Sequence, residues 1–252
     1  MAKTALITGA SSGIGREIAR ELDRRGFRVI IVARREDRLK ELAEELCDAR
    51  VIASDLSSAD ACKKLYEDVK SERVTVLVNN AGFGKLGRFE DIPLEDELQM
   101  IDVNVKAVHV LTKLFLKDFI EEDRGYILNV ASSAGLMPGG PMMATYYATK
   151  AYVTSLTSAI YDELQCIASR VSVSALCPGP VDTEFNDVAN AQFGTKSLTP
   201  EYCAKRAVQG MFARELIIVP EKGLGAVTKL AQLAPRKLAL AITGQLQKNK
   251  ET

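Results

Sequence analysis

A doubly wound α/β fold, with a mostly parallel seven-stranded sheet and helices on both faces, is predicted by three observations. Short β-branched or apolar runs alternate with amphipathic stretches along most of the 252 residues. A glycine-rich turn joins the first apolar run to the first amphipathic one. No Pro/Ser-rich linker or internal repeat divides the chain, so one domain over 1–252 is expected. Strands separated by helices imply βαβ units, and right-handed crossovers wind such units onto both sides of one sheet.

The strand runs are 5–8, 28–33, 50–54, 75–79, 125–131, 171–176 and 216–219. Between them lie the helical stretches. Residues 14–25 follow the glycine turn. Residues 36–46 open with Glu36 and Asp37, acids that suit the positive end of a helix dipole. Next come 59–71 and 95–119, the latter holding Asn104 and His109, then 145–168 with Tyr146 and Lys150, and 201–214. Turn-rich segments 83–87, 135–141 and 178–200 fall beyond the carboxyl ends of strands four, five and six, where open α/β sheets bind ligands.

At 47% hydrophobic and 26% charged residues, the composition is that of a globular protein able to bury a core without staples. Thirty-three basic and 33 acidic residues cancel, which gives no global field for nucleic acid. Five scattered cysteines without a C-x-x-C pair read as thiols in a reducing compartment, not as a disulfide framework or zinc site. The single His109 cannot build a His-rich metal centre, lacks a nucleophile elbow, and is read as a surface residue. A start that runs straight into an apolar strand, and no uncharged apolar run of eighteen residues, set the expectation of a cytoplasmic protein.

Thr8 to Gly15, T-G-A-S-S-G-I-G, stands between the first strand and first helix. Gly9 permits a tight turn, Gly13 lets backbone approach a pyrophosphate, and Gly15 permits close packing of helix on strand. The helix N-terminus around Ile14 offers N–H donors to the anion. The second strand ends in Ala33-Arg34-Arg35, where an NAD site would carry a carboxylate. Arg34 is therefore the candidate for the 2′-phosphate of NADP(H), helped by Ser11, Ser12 and Arg35. The competing reading makes both arginines solvated charges at a strand end.

Tyr146 and Lys150 lie four residues apart, on one face of a helix. A phenol with an ordinary pKa of about 10 is a poor acid or base near neutrality. A neighbouring ammonium favours the phenolate and can bring it into range.

With Thr8–Gly15, Asn79-Asn80-Ala81-Gly82, Asp102-Val103-Asn104-Val105, Tyr146-x-x-x-Lys150 and Pro178-Gly179 in this order, the chain resembles the short-chain dehydrogenase/reductase family over nearly its whole length. The resemblance implies a Rossmann-type domain that moves hydride between a nicotinamide and a carbonyl or alcohol. It implies catalytic roles for Asn104, Ser132, Tyr146 and Lys150. Tyr146 would carry the proton, while Lys150 holds the nicotinamide ribose and tunes the phenol. Ser132 would bond the substrate oxygen, and Asn104 would hold a water relaying protons to Lys150. Asp55 and Leu56 are implied at the adenine, Asn80, Ala81 and Gly82 beneath the cofactor, and Pro178, Gly179, Val181 and Thr183 at the nicotinamide side.

Two points stay open. The pattern Gly125, Asn129, Ser132, Ala134, Gly135 selects Ser132, whereas the family's spacing to the tyrosine selects Ser133. A non-catalytic NADP-binding sensor or scaffold, or an epimerase or dehydratase on the same fold, also remains an alternative to the oxidoreductase.

Phe83, Leu86, Met137, Met142, Met143, Phe185, Val188 and Phe193 suggest an apolar pocket for a bulky ketone, such as a steroid or acyl compound, with 183–199 as a substrate lid. From Lys222 to Thr252 there are six basic residues and one acidic residue. Pro235 opens a candidate helix with a Leu238, Ile242, Leu246 stripe beside Ala239. Packing on the core or a second subunit, covering the cleft, and resting on an anionic membrane surface compete for this tail; packing is the plain reading. A homodimer or homotetramer through the Asn104 and Tyr146 helices follows from the resemblance.

Overall fold

A computed structural model describes residues 3–189 and 197–248. Seven strands form one parallel sheet in the order β3-β2-β1-β4-β5-β6-β7. They are β1 Lys3–Thr8, β2 Phe27–Ala33, β3 Ala49–Ala53, β4 Val74–Asn79, β5 Tyr126–Val130, β6 Ser172–Leu176 and the short β7 Ile217–Ile218. The doubly wound expectation holds, and every strand pairing is parallel. The strand order reverses between β1 and β4, and ligands enter such sheets at that reversal.

The central strands are apolar on both faces because helices cover both. Ile7, Ile31, Val78 and Leu128 pack beneath α1 (Gly13–Arg24), α2 (Glu36–Glu45) and α8 (Pro200–Phe212). Leu6, Ile30, Leu77 and Ile127 meet Leu65 of α3 (Ala59–Val69), Leu111 and Phe115 of α5 (Val108–Glu121), and Ile160 of α6 (Ala144–Cys166). Each such aliphatic side chain contributes roughly 1.5–3 kcal/mol by leaving water.

Three departures from the sequence pattern matter. The single helix expected over 95–119 is α4 (Leu94–Ile101) and α5 joined by a π-helical turn, Asp102–Ala107, that contains Asn104. A short α7 (Phe185–Ala189) interrupts the segment expected to be a lid. The tail forms two helices, α9 (Leu224–Leu233) and α10 (Arg236–Lys248), the second opening after Pro235 as expected. Among the described side chains of α10, Ala239 and Thr243 are buried, whereas Leu238 of the expected stripe is exposed. The side chains of Ile242 and Leu246 lie outside the described residues, as do Phe193 and the side chain of Val188. No helix among the described residues is long and apolar enough to cross a membrane.

Candidate active site

The turn after β1 and the loop after β4 are stitched together by Thr8. Its hydroxyl accepts the N–H groups of Asn80 at 2.9 Å and Ala81 at 3.1 Å. The Asn80 amide in turn donates to the carbonyls of Thr8 and Gly9, each at 3.0 Å. Gly9 has φ 67°, and a Cβ there would lie 2.8 Å from the Ala81 Cα, so both conformation and contact demand glycine. A Cβ on Gly15 would meet the Asn80 side chain just past β4 and the Gly9 carbonyl just past β1, so the start of α1 packs close against these strand ends.

Below these loops the strands are locked by buried amides. Asn79 and Asn129 are partners in the β4–β5 register, and Asn79 Nδ2 donates to Asn129 Oδ1 at 2.9 Å. Asn79 Nδ2 also reaches Thr112 of α5 at 3.0 Å, and Asn129 Nδ2 reaches Thr157 of α6 at 3.0 Å.

Ser132, just past β5, caps the short turn Ser133–Leu136 by accepting the Ala134 N–H at 3.2 Å. Of the two candidate serines, Ser132 is the one whose hydroxyl acts on the Tyr146 phenol, opposing the effect of burial, and it also donates to Pro178 O at 3.4 Å. Ser133 instead donates its backbone N–H to Pro178 O at 2.7 Å. Tyr146 and Lys150 share the inward face of α6, and both are buried. Lys150 Nζ donates to Val130 O at 2.8 Å and stands 5.8 Å from the Tyr146 ring centroid.

Burial pushes the Tyr146 phenol up to about 12, and the nearby Ser132 hydroxyl is what opposes it. The ammonium is turned toward the Val130 carbonyl, and burial pulls Lys150 itself down to about 8. The phenol therefore holds its proton at neutral pH, the form in which it can act as a donor.

Asn104 is buried in the π-helical turn. Its amide is committed to Phe83, donating to the carbonyl at 2.8 Å and accepting the N–H at 3.0 Å, and it donates to Thr149 at 3.2 Å. It stands behind Gly82, where a Cβ would come within 2.8 Å of its Oδ1. Apart from Asn104 and Gly15, every predicted catalytic and cofactor residue lines a single cleft of about 520 Å³.

That cleft fits a dinucleotide. The α1 N-terminus carries no side-chain cap at Ser12, so no side chain competes there for an anion. Arg34 follows β2 and Asp55 and Leu56 follow β3, on one side of the switch point, whereas Ser132 follows β5 and Pro178 to Thr183 follow β6; all line the cleft. Among the described residues Arg34 makes no ion pair, whereas Arg35 donates to Ser11 at 3.1 Å, Ser12 at 2.9 Å and the Glu184 carboxylate at 2.8 Å. Arg38 reaches the same carboxylate at 3.4 Å, and these cations hold Glu184 below the usual carboxylate range, Arg35 most of all.

Sequence reasoning missed Glu184, whose partners are some 146 to 149 positions away in the chain. It missed Glu221, whose carboxylate accepts the Gly179 N–H at 2.7 Å. Lys85, paired with Asp96 at 3.2 Å, and Gln99 were also missed; they line the cleft beside Phe83 and Met143. Of the apolar pocket candidates, Phe83, Met143 and Phe185 line the cleft, whereas Leu86, Met137 and Met142 do not. His109 lies outside the cleft, exposed and 2.7 Å from the Tyr152 hydroxyl.

A switch-point cleft with a glycine turn, and a serine, tyrosine and lysine at one end, defines a nucleotide-dependent oxidoreductase of the Rossmann type. A family model for short chain dehydrogenases matches residues 3–193, and the chain belongs to the short-chain dehydrogenase/reductase family. A 3-oxoacyl-[acyl-carrier-protein] reductase of Rickettsia bellii is 33% identical over 96% of this chain and 93% of its own. The short-chain dehydrogenase of Sphingobium yanoikuyae, solved with NADPH, superposes with a TM-score of 0.84 at 29% identity, covering 94% of both chains. A short-chain dehydrogenase/reductase of Burkholderia phymatum, solved with NAD, gives 0.84 at 25% identity, covering 92% of this chain and 93% of its own.

Proposed function

We propose that the protein is an NADP(H)-dependent dehydrogenase/reductase that interconverts a ketone and an alcohol on a bulky apolar substrate of acyl or steroid type. The observation that carries the reading is that Ser132, Tyr146 and Lys150 line the same cleft as the glycine turn after β1, with Lys150 Nζ 5.8 Å from the Tyr146 ring. Bound there, the nicotinamide cofactor supplies or accepts the hydride.

The chain's own residues do the rest. The N–H groups at the start of α1 hold the pyrophosphate, and unpaired Arg34 takes the 2′-phosphate. Lys150 binds the nicotinamide ribose. In reduction, Tyr146 gives its proton to the carbonyl oxygen while Ser132 hydrogen-bonds that oxygen as charge develops. In oxidation Tyr146 is the base. Asn104 fixes the Phe83 backbone beside Gly82 and Lys150, where the proton-relaying water would be held. Phe83, Met143 and Phe185 support an apolar substrate, as does the name of the Rickettsia relative. Exposed Leu94, Leu98 and Ile101 of α4 and Tyr152 of α6 suit a homo-oligomer formed through these helices.

The test is Tyr146→Phe, assayed with NADPH against ketones and 3-oxoacyl thioesters. Turnover should fall by about 10²–10⁴ with NADPH binding unchanged. Substantial remaining turnover would remove Tyr146 from this role.

A further inference from the structure

We propose that the α9–α10 pair is a docking surface for an anionic lipid bilayer. Over residues 222–250 there are six basic side chains and no acidic one, in a chain that is neutral overall. Such a segment carries a local positive field that the bulk composition conceals.

The same segment leaves apolar side chains uncovered. Val227, Leu230 and Leu233 are 57%, 67% and 84% exposed, and Leu238 is 55% exposed. At 100° per residue, Val227, Leu230 and Leu233 fall on one side of α9, away from buried Thr228, with exposed Lys229 at its border. On α10, Leu238 and Ala241 are exposed beside Lys237, opposite the buried Ala239 and Thr243. Leucines flanked by lysine and arginine are the pattern of a helix lying in the plane of a membrane interface. Each such cation adds attraction to acidic headgroups.

The charge pattern decides among occupants. A second copy meeting this face with its own would set cations against cations, with no carboxylate from either segment to relieve them. An anionic lipid surface matches both the leucines and the charges.

The pair is also fixed to the molecule. Gln232 donates to Leu136 O at 3.2 Å and Arg236 to Pro138 O at 3.4 Å. Both acceptors lie in the loop between Ser132 and Tyr146, so docking would set that side of the cleft toward the lipid. The docking itself does not depend on the reaction proposed above.

The experiment is flotation of the full chain with vesicles of phosphatidylcholine containing about one third phosphatidylglycerol, against pure phosphatidylcholine. The protein should float with the acidic vesicles only, and less as salt rises. The triple variant K222E/K229E/K237E should bind about 100-fold more weakly, and L230D/L233D should stay at the bottom. Both variants should keep the wild-type denaturation midpoint. Failure of the wild type to float with acidic vesicles would overturn the proposal. So would variants that float undiminished, or a face whose substitution lowers the oligomer mass in light scattering while the wild type stays off the vesicles.

Discussion

Lys150 should cost the fold stability, and pH should reveal how much. Burial pulls its pKa from 10.5 to about 8, which is roughly 300-fold in the proton equilibrium. At about 1.4 kcal/mol per tenfold, the charged form is disfavoured in the folded state by about 3 kcal/mol. The sign follows from linkage. Between the folded value near 8 and the unfolded value the unfolded chain binds the extra proton, so stability rises with pH across that window. The penalty is complete below about 8. Lys150→Met removes the titration, along with the hydrogen bond to Val130 O, which is worth about 1.5–3 kcal/mol for a charged donor. At pH 7 the two losses nearly cancel, and the variant should be about as stable as the wild type while lacking activity. The difference between the proteins, by contrast, should move by about 2 kcal/mol in favour of the wild type from pH 7 to pH 9.5. Urea denaturation of both proteins across this range measures it, because the other titrating groups are common to the pair. Parallel stability profiles would refute the claim that this ammonium is held at a desolvation cost.

Ser132→Ala should lower kcat by about 10²–10³, whereas Ser133→Ala should leave it within a few-fold; steady-state kinetics separate the two serines. Arg34→Ala should weaken NADPH binding about tenfold and leave NADH unchanged, and Glu184→Gln, by releasing Arg35 and Arg38, should strengthen NADPH; fluorescence titration reads both. Asn129→Ala should destabilise the fold by about 2–3 kcal/mol in chemical denaturation, because Asn79 loses a buried acceptor and Thr157 a donor.

The sheet was legible because its strands are short apolar runs bounded by turn residues, and a fully covered parallel sheet leaves such runs nearly uninterrupted. The glycine turn was legible because only glycine tolerates the geometry at Gly9. What escaped the sequence was contact between distant side chains. Nothing local marks Glu184 as the partner of Arg35, or Glu221 as the acceptor of the Gly179 N–H. Four residues on a helix put Lys150 beside Tyr146, but the strand carbonyl at Val130 decides where the ammonium points. The π-turn was invisible for a similar reason, since residues 95–119 read as one amphipathic helix and the widened turn depends on what packs against it.

The Asn79–Asn129 pair has a consequence beyond its energy. Gly82 and Ser132 each stand three residues beyond one of these asparagines, on adjacent strands. A slip of one residue between β4 and β5 would set Asn79 opposite Leu128 or Val130 and strand its amide there without a partner. The pair therefore works as a key that admits one alignment of the two strands. Through that alignment it fixes how far the floor of the nucleotide cleft sits from the serine, a distance set by residues that touch neither.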